Sequence, residues 1–247
     1  MKVFKKKGRP LLPVARVLLC FLAFLCLGLV PIALSRALAA VAPVSAAATT
    51  VPVVILDAGH GGEDGGAVGV NGALEKDLNL AVAQGVAALL REKGVAVILT
   101  REEDRLLYRE EENVKGHRKE YDLKNRLAVA KEHPEALFVS IHMNTFSSPR
   151  YSGLQVYYAG TEGSAALAEA IQTAVREGLQ PENTRRIHAA SSSIYLLENA
   201  VGRAVLVECG FLSNPAECER LSEKDYQSQL CFSIFCGIME YIEATRG

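Results

Sequence analysis

From residue 51 onward, short all-apolar runs alternate with longer segments whose apolar positions recur at a helical period. Residues 51–57 (VPVVILD), 95–100 (VAVILT), 136–142 (ALFVSIH) and 204–208 (AVLVE) read as strands buried on both faces. Residues 153–159 alternate and read as a further strand, and 194–197 (IYLL) as a short one. In 74–93 the apolar positions Leu74, Leu78, Val82, Val86 and Leu89 keep helical spacing, and Gly94 is a helix stop. Residues 163–177 and 226–243 read as two more helices, and Asp122 as the cap of another that runs to residue 131. Residues 101–121 are dense in charge and lack a period, which predicts an exposed excursion.

Apolar strands alternating with helices predict an α/β fold: a single three-layer domain with a mostly parallel or mixed sheet of about six strands and helices on both faces. It is expected to occupy residues 51–247. Before it the pattern changes. Lys2, Lys5, Lys6, Lys7 and Arg9 form a basic head, and residues 17–34 carry no charge. A basic head before an apolar run of that length directs the remainder out of the cytoplasm. Residues 1–34 therefore read either as a membrane anchor or as a signal segment, for which Ala37, Leu38 and Ala39 offer a small-x-small cleavage site. Residues 35–50, rich in Ala with Val, Pro, Ser and Thr, read as a flexible linker. Both readings make the domain extracytoplasmic, anchored or secreted.

Charge narrows the partners. Lys and Arg nearly balance Asp and Glu, for a net charge of -1, so the basic excess of a general nucleic-acid binder is missing. Cys209, Cys218, Cys231 and Cys236 fall in the domain without CxxC spacing and read as small buried hydrophobes.

Three polar signals end apolar strands: His60 follows VVILD, His142 closes LFVSIH and Glu208 closes AVLVE. Ligands of open α/β sheets bind at that edge. Glu75 opens the helix after the glycine-dense loop DAGHGGEDGGAVG, which returns it to the same edge. Zinc accepts imidazole nitrogen and carboxylate oxygen, and two His with one Glu leave a position open for water. Glu208 is then the candidate to take that water's proton. Each residue also has a plain structural reading: Glu75 as a first-turn carboxylate favoured by the helix dipole, and His60 and His142 as hydrogen-bonded residues of loop and core. Asp57 and Asp64 are candidates to shape the loop, and Asp57 also to orient His60. His117, His133 and His188 read as surface residues. Neither an HExxH helix, a GxSxG elbow nor a Walker-type loop occurs, and Ser140 has no evident base partner.

The stretches LDAGHGGEDGGAVG (56–69), LEKDLNL (74–80), ILTREED (98–104), LFVSIHMN (137–144), GLQVYY (153–158) and VLVECGFLSNPAE (205–217) together resemble the zinc-dependent N-acetylmuramoyl-L-alanine amidases of the bacterial cell wall. The resemblance covers residues 52–243. It implies one zinc ion held by His60, Glu75 and His142, with Glu208 as the catalytic carboxylate. It further implies hydrolysis of the bond between N-acetylmuramic acid and L-alanine of peptidoglycan. Asn144 and Arg185 are expected near the site or the substrate. The N-terminal apolar segment and the long charged excursion resemble the sporulation amidases, which act in the spore envelope on cortex peptidoglycan en route to muramic δ-lactam. A regulatory protein partner is expected with that assignment. A zinc exopeptidase acting on cell-wall peptides is the alternative, with Arg185 and Arg186 as binders of a peptide carboxylate. A non-catalytic glycan-binding module is a third reading, which would have no use for Glu208.

Overall fold

The structure, a computed structural model, describes residues 53–246. The expected anchor or signal segment and the linker lie outside the described residues, and no helix among those described is long and apolar enough to cross a membrane.

Six strands form one mixed sheet: β1 (Val54–Ala58), β2 (Val97–Leu99), β3 (Leu137–Asn144), β4 (Gln155–Tyr158), β5 (His188–Ala189) and β6 (Arg203–Phe211). Their spatial order is β2-β1-β3-β6-β4-β5. β2, β1, β3 and β6 run parallel, whereas β4 is antiparallel to β6 and parallel to β5. The helices are α1 (Glu75–Glu92), α2 (Arg118–Glu132), α3 (Ser164–Gly178), α4 (Tyr195–Glu198), α5 (Pro215–Ser222) and α6 (Lys224–Ala244).

Alternation along each strand divides the core into two layers. Val54, Leu56, Leu137, Val139, Val205 and Val207 pack against α1, α3 and α6 in the larger cluster. Ile55, Phe138, Ala204 and Leu206 face the other way, with Leu127 of α2 and Leu196 and Leu197 of α4. Both faces are covered, so β1 is buried at every position, as its unbroken apolar run requires. The second cover is slight. The shortness of α4 and the sparse apolar face of α2 leave the C-terminal end of that face open. His142, Glu208 and Gln155 lie there side by side, since His142 pairs with Glu208 and Glu208 with Gln155 in the sheet register.

Several expectations are corrected. Residues 194–197 are mostly helix α4, not a strand; a four-residue apolar run carries too little period to separate the two. The sheet instead gains β5, whose two residues are exposed. β2 is a half-buried edge strand, not a buried one. Asp122 caps nothing: α2 starts earlier, at Arg118, and Asp122 lies inside it. Its carboxylate accepts from Leu107 N at 2.7 Å and Arg126 Nε at 2.8 Å. The 101–121 excursion is not wholly exposed, because Arg101, Leu106 and Glu112 are buried. Helix α5, capped by Asn214, forms where the apolar pattern predicts no element. The four cysteines among the described residues are free, three of them buried.

The charged centre of the fold is Arg126, 1% exposed. Its guanidinium donates to Asp57 at 2.6 Å, to Asp122, and to the backbone carbonyls of Ala58 and His60. Burial alone would raise the Asp57 carboxyl. The Arg126 charge and hydrogen bonds from Ser140 and Thr100 outweigh it and hold Asp57 below the usual carboxylate range. A lowered folded-state pKa gives stability that is present above pH ~4 and lost as pH falls through the lowered value. Arg126→Met, which strands Asp57 unpaired, should cost about 3–5 kcal/mol in urea unfolding at pH 7. Asp57→Asn should flatten the loss of stability below pH ~4 relative to the parent. Parent and variant curves of equal acid slope would contradict this.

Candidate metal centre

β1 ends at Ala58 and enters a loop that carries His60 at φ 61°, a left-handed backbone conformation rare for a non-glycine residue. Two buried arginines hold that backbone. Arg101 donates from Nε to Ala58 O at 2.9 Å and from Nη2 to Gly59 O and Lys76 O at 3.0 and 2.7 Å. Arg126 donates to His60 O at 2.7 Å. The strand end, the loop and the first turn of α1 are thereby fixed to one another.

Close approach sets the glycines. A Cβ on Gly59 would overlap the His142 ring, and one on Gly66 would press on Glu75 Oε2 and His60 Cδ2. His142 closes in from β3, and Glu75 reaches the edge as the first residue of α1. One ligand atom from each of His60, Glu75 and His142 lies within 4.8 Å of the other two. His60 Nε2 is 3.2 Å from Glu75 Oε2, and His142 Nδ1 is 2.9 Å from Glu75 Oε1. Backbone N–H groups of Ala67 and Met143 donate to the same carboxylate at 2.8 and 3.1 Å. The opposite nitrogen of His60, Nδ1, is 2.9 Å from Asp64 Oδ2, and Lys119 Nζ is 3.0 Å from that oxygen.

Charge follows this geometry. Burial raises the Glu75 carboxyl, but the two imidazoles overcome it and drive the group far below its ordinary range. Burial works against a charged His60, yet Glu75 and Asp64 raise it on balance. A cluster that draws cations so strongly, with two imidazole nitrogens and a carboxylate oxygen converging, fits the donor set of zinc. Glu208 behaves oppositely. Its Oε2 is buried with no hydrogen-bond partner. Burial, reinforced by the Glu75 charge and opposed by His142, pushes it up to about 7.

A family model described as N-acetylmuramoyl-L-alanine amidase matches residues 54–240. The chain belongs to that amidase family. It is 40% identical to the germination-specific N-acetylmuramoyl-L-alanine amidase of Bacillus subtilis over 190 residues, which span 76% of this chain and 79% of the relative. It superimposes on the CwlD amidase from Clostridioides difficile, solved in complex with the GerS lipoprotein, with a TM-score of 0.74 and 38% identity, covering 78% of this chain and 99% of that one. AmiC2 of Nostoc punctiforme follows at a TM-score of 0.67 and 32% identity, covering 78% and 97%. The chain is thus a cell-wall amidase, and the exopeptidase and glycan-module readings fall away.

In the amidase the four residues singled out by sequence meet at one edge, but one of their companions, Asp57, departs from its expected role. Asp57 does not orient His60. Its oxygens are taken by Arg126, Thr100 and Ser140, and Asp64 holds the imidazole instead. Asn144 ends β3, and its backbone carbonyl accepts from Leu212 N. Arg185 stands off the metal cluster, bonded to Ser152 O and Gln155 Oε1. His117 and His188 are exposed and His133 half-buried. Arg101 and Arg126 were missed.

Purified amidase should bind about one zinc per chain, and His60→Ala, Glu75→Ala and His142→Ala should each lower that occupancy. Asp64→Asn should weaken zinc affinity roughly 10- to 100-fold by loosening the His60 ring. Elemental analysis with a competing chelator reads both, and full occupancy in the alanine variants would refute the ligand assignment.

Proposed function

We propose that the amidase is a zinc enzyme in which His60, Glu75 and His142 hold the metal and Glu208 moves the proton. The reading rests above all on the sealed, unpartnered Glu208 oxygen one strand from His142. A buried carboxylate without a partner is costly unless it serves chemistry. Bound zinc would supply Lewis acidity toward the muramoyl carbonyl and make water more acidic.

The remaining work belongs to the chain. Glu208 takes the proton of the attacking water and delivers it to the alanine nitrogen as the C–N bond breaks. Burial pushes its pKa up to about 7, which suits both halves of that transfer, since near neutral pH the group can take a proton and give it back. The backbone N–H groups of Ala67 and Met143 hold Glu75, so that it remains a ligand and does not compete for the proton. Gly59 and Gly66 let both imidazoles close on it.

Spore cortex is the wall this reading favours, with stem-peptide removal preparing muramic acid for δ-lactam formation. Likeness to a germination-specific amidase supports it. The basic head and apolar run of residues 1–34 support action outside the cytoplasm, from a cleaved or anchored chain joined through residues 35–50 to the catalytic domain at 51–247. The similar CwlD amidase was solved with a lipoprotein bound, which favours a protein partner here as well.

With purified peptidoglycan, the full-length chain and zinc should release new L-alanine amino termini, and a chelator should stop the release. Glu208→Gln should keep its zinc and lose about 10²–10⁴-fold in turnover. Near-parent turnover in a zinc-loaded Glu208→Gln would defeat the assignment.

A further inference from the structure

Past Glu208, away from the metal ligands, the sheet edge opens into a cavity of about 750 Å³. Arg150, Arg185, Arg186 and Arg220 line it, against the acids Glu182 and Glu217. Both oxygens of Glu217 already accept backbone N–H groups, from Gly153 and Phe211, at 2.8 Å. None of the four arginines is in an ion pair among the described residues. Four unpaired guanidinium groups in one concavity, on a chain of net charge -1, make a site for an anion.

The cavity is joined to the catalytic row. Gln155 lies beside Glu208 in the register, and its Oε1 accepts from Arg185 Nη1 at 2.9 Å. Arg185 is held in place: Nε donates to Ser152 O at 2.7 Å, and the guanidinium stacks 4.5 Å above the Phe211 ring. Arg186 supplies a carbonyl to Gln155 Nε2 and keeps its own side chain free.

The geometry points to this basic cavity as the subsite for a carboxylate of the stem peptide, with Arg185 as its specificity-determining residue. The inference rests on the amidase reading above. Glu208 protonates the leaving nitrogen, so the departing peptide extends from Glu208 toward β4 while the muramoyl group stays at the metal side. From His142 to Gln155 is two strand steps, about 10 Å. An extended peptide advances about 3.3–3.6 Å per residue, so a carboxylate two or three residues beyond the scissile bond reaches Arg185. The sugar side offers no carboxylate to arginines, because its carboxyl group is spent in the amide.

Two synthetic N-acetylmuramoyl peptides test it, alike except that the α-carboxyl of the second residue is free in one and amidated in the other. The full-length, zinc-loaded chain should favour the free acid in kcat/KM by about tenfold to a hundredfold, chiefly through KM. Arg185→Gln should bring that ratio toward one. So should a triple Arg150→Gln, Arg186→Gln, Arg220→Gln variant, in which only exposed side chains change. A ratio near one in the parent, or an unchanged ratio in both variants, overturns the subsite. A persisting ratio together with weaker sedimentation on intact walls would give the cavity to an anionic wall polymer and overturn it equally. NMR titration with L-alanyl-D-glutamate against its amide decides the subsite without turnover: selective binding of the acid, lost in Arg185→Gln, supports it, and equal binding refutes it. Failure to cleave either muramoyl peptide would count against the amidase reading alone.

Discussion

The guanidinium of Arg126 is the point through which core and site depend on each other. It is buried between Asp57 and Asp122 and also holds the carbonyls of Ala58 and His60. A lone buried charge costs several kcal/mol, and two carboxylates with backbone oxygens offset that cost only while all are in place. The same bonds keep His60 in its left-handed conformation, which an unsupported loop would relax. Arg101 repeats the device one step along, linking Ala58 and Gly59 to Lys76 in the first turn of α1. The spacing between His60 and Glu75 is therefore set by two arginines that touch neither imidazole.

Above that support, the unequal layers of the sheet decide where chemistry occurs. The face covered by α1, α3 and α6 is sealed by a continuous apolar cluster. The other face is sealed only under α2 and α4, and its strands run on past that cover. A strand presents side chains to each face in turn. The same alternation that sends Val139 and Ile141 into the large core brings His142 to the open face, and Val207 and Glu208 divide the same way. Parallel pairing of β3 with β6 then sets His142 beside Glu208, although sixty-six positions separate them in the chain by subtraction of their numbers.

What could be read from sequence follows from range. Long apolar runs identified β1, β3 and β6, and a full helical period identified α1, because each signal lies within its own segment. His60, His142 and Glu208 were found for the same reason: each marks the end of such a run. Residues 194–197 were misread because four apolar residues fit either period, and β5 escaped because two exposed residues have no pattern at all. The sharper failure concerns charge. Arg101 and Arg126 sit in charge-dense sequence and resemble surface residues there, yet both are buried by partners that lie up to sixty-nine positions away. The orienting role expected of Asp57 falls to Asp64 on the same account. Asp64, four residues after His60, reaches its ring across a turn, whereas Asp57 is drawn below the loop by an arginine that no local pattern announces.

The two glutamates of the edge show how environment alone drives identical side chains apart in acidity. Glu75 and Glu208 carry the same carboxyl, and burial raises both. Glu75 has two imidazoles against its oxygens and two backbone N–H groups besides, so its anion is favoured, as the proposed ligand role needs. Glu208 has no hydrogen bond to one oxygen and a negative neighbour in Glu75, so its proton is held near neutrality and can be exchanged. Ordinary carboxylates would sit together near pH 4; the opposite shifts of these two match the proposed division between a metal ligand and a proton carrier. The separation requires Glu75 to be ionised, because its charge is part of what raises Glu208. The two carboxylates are thus coupled, and Arg101 and Arg126, by fixing the Glu75 turn against the His60 loop, maintain both.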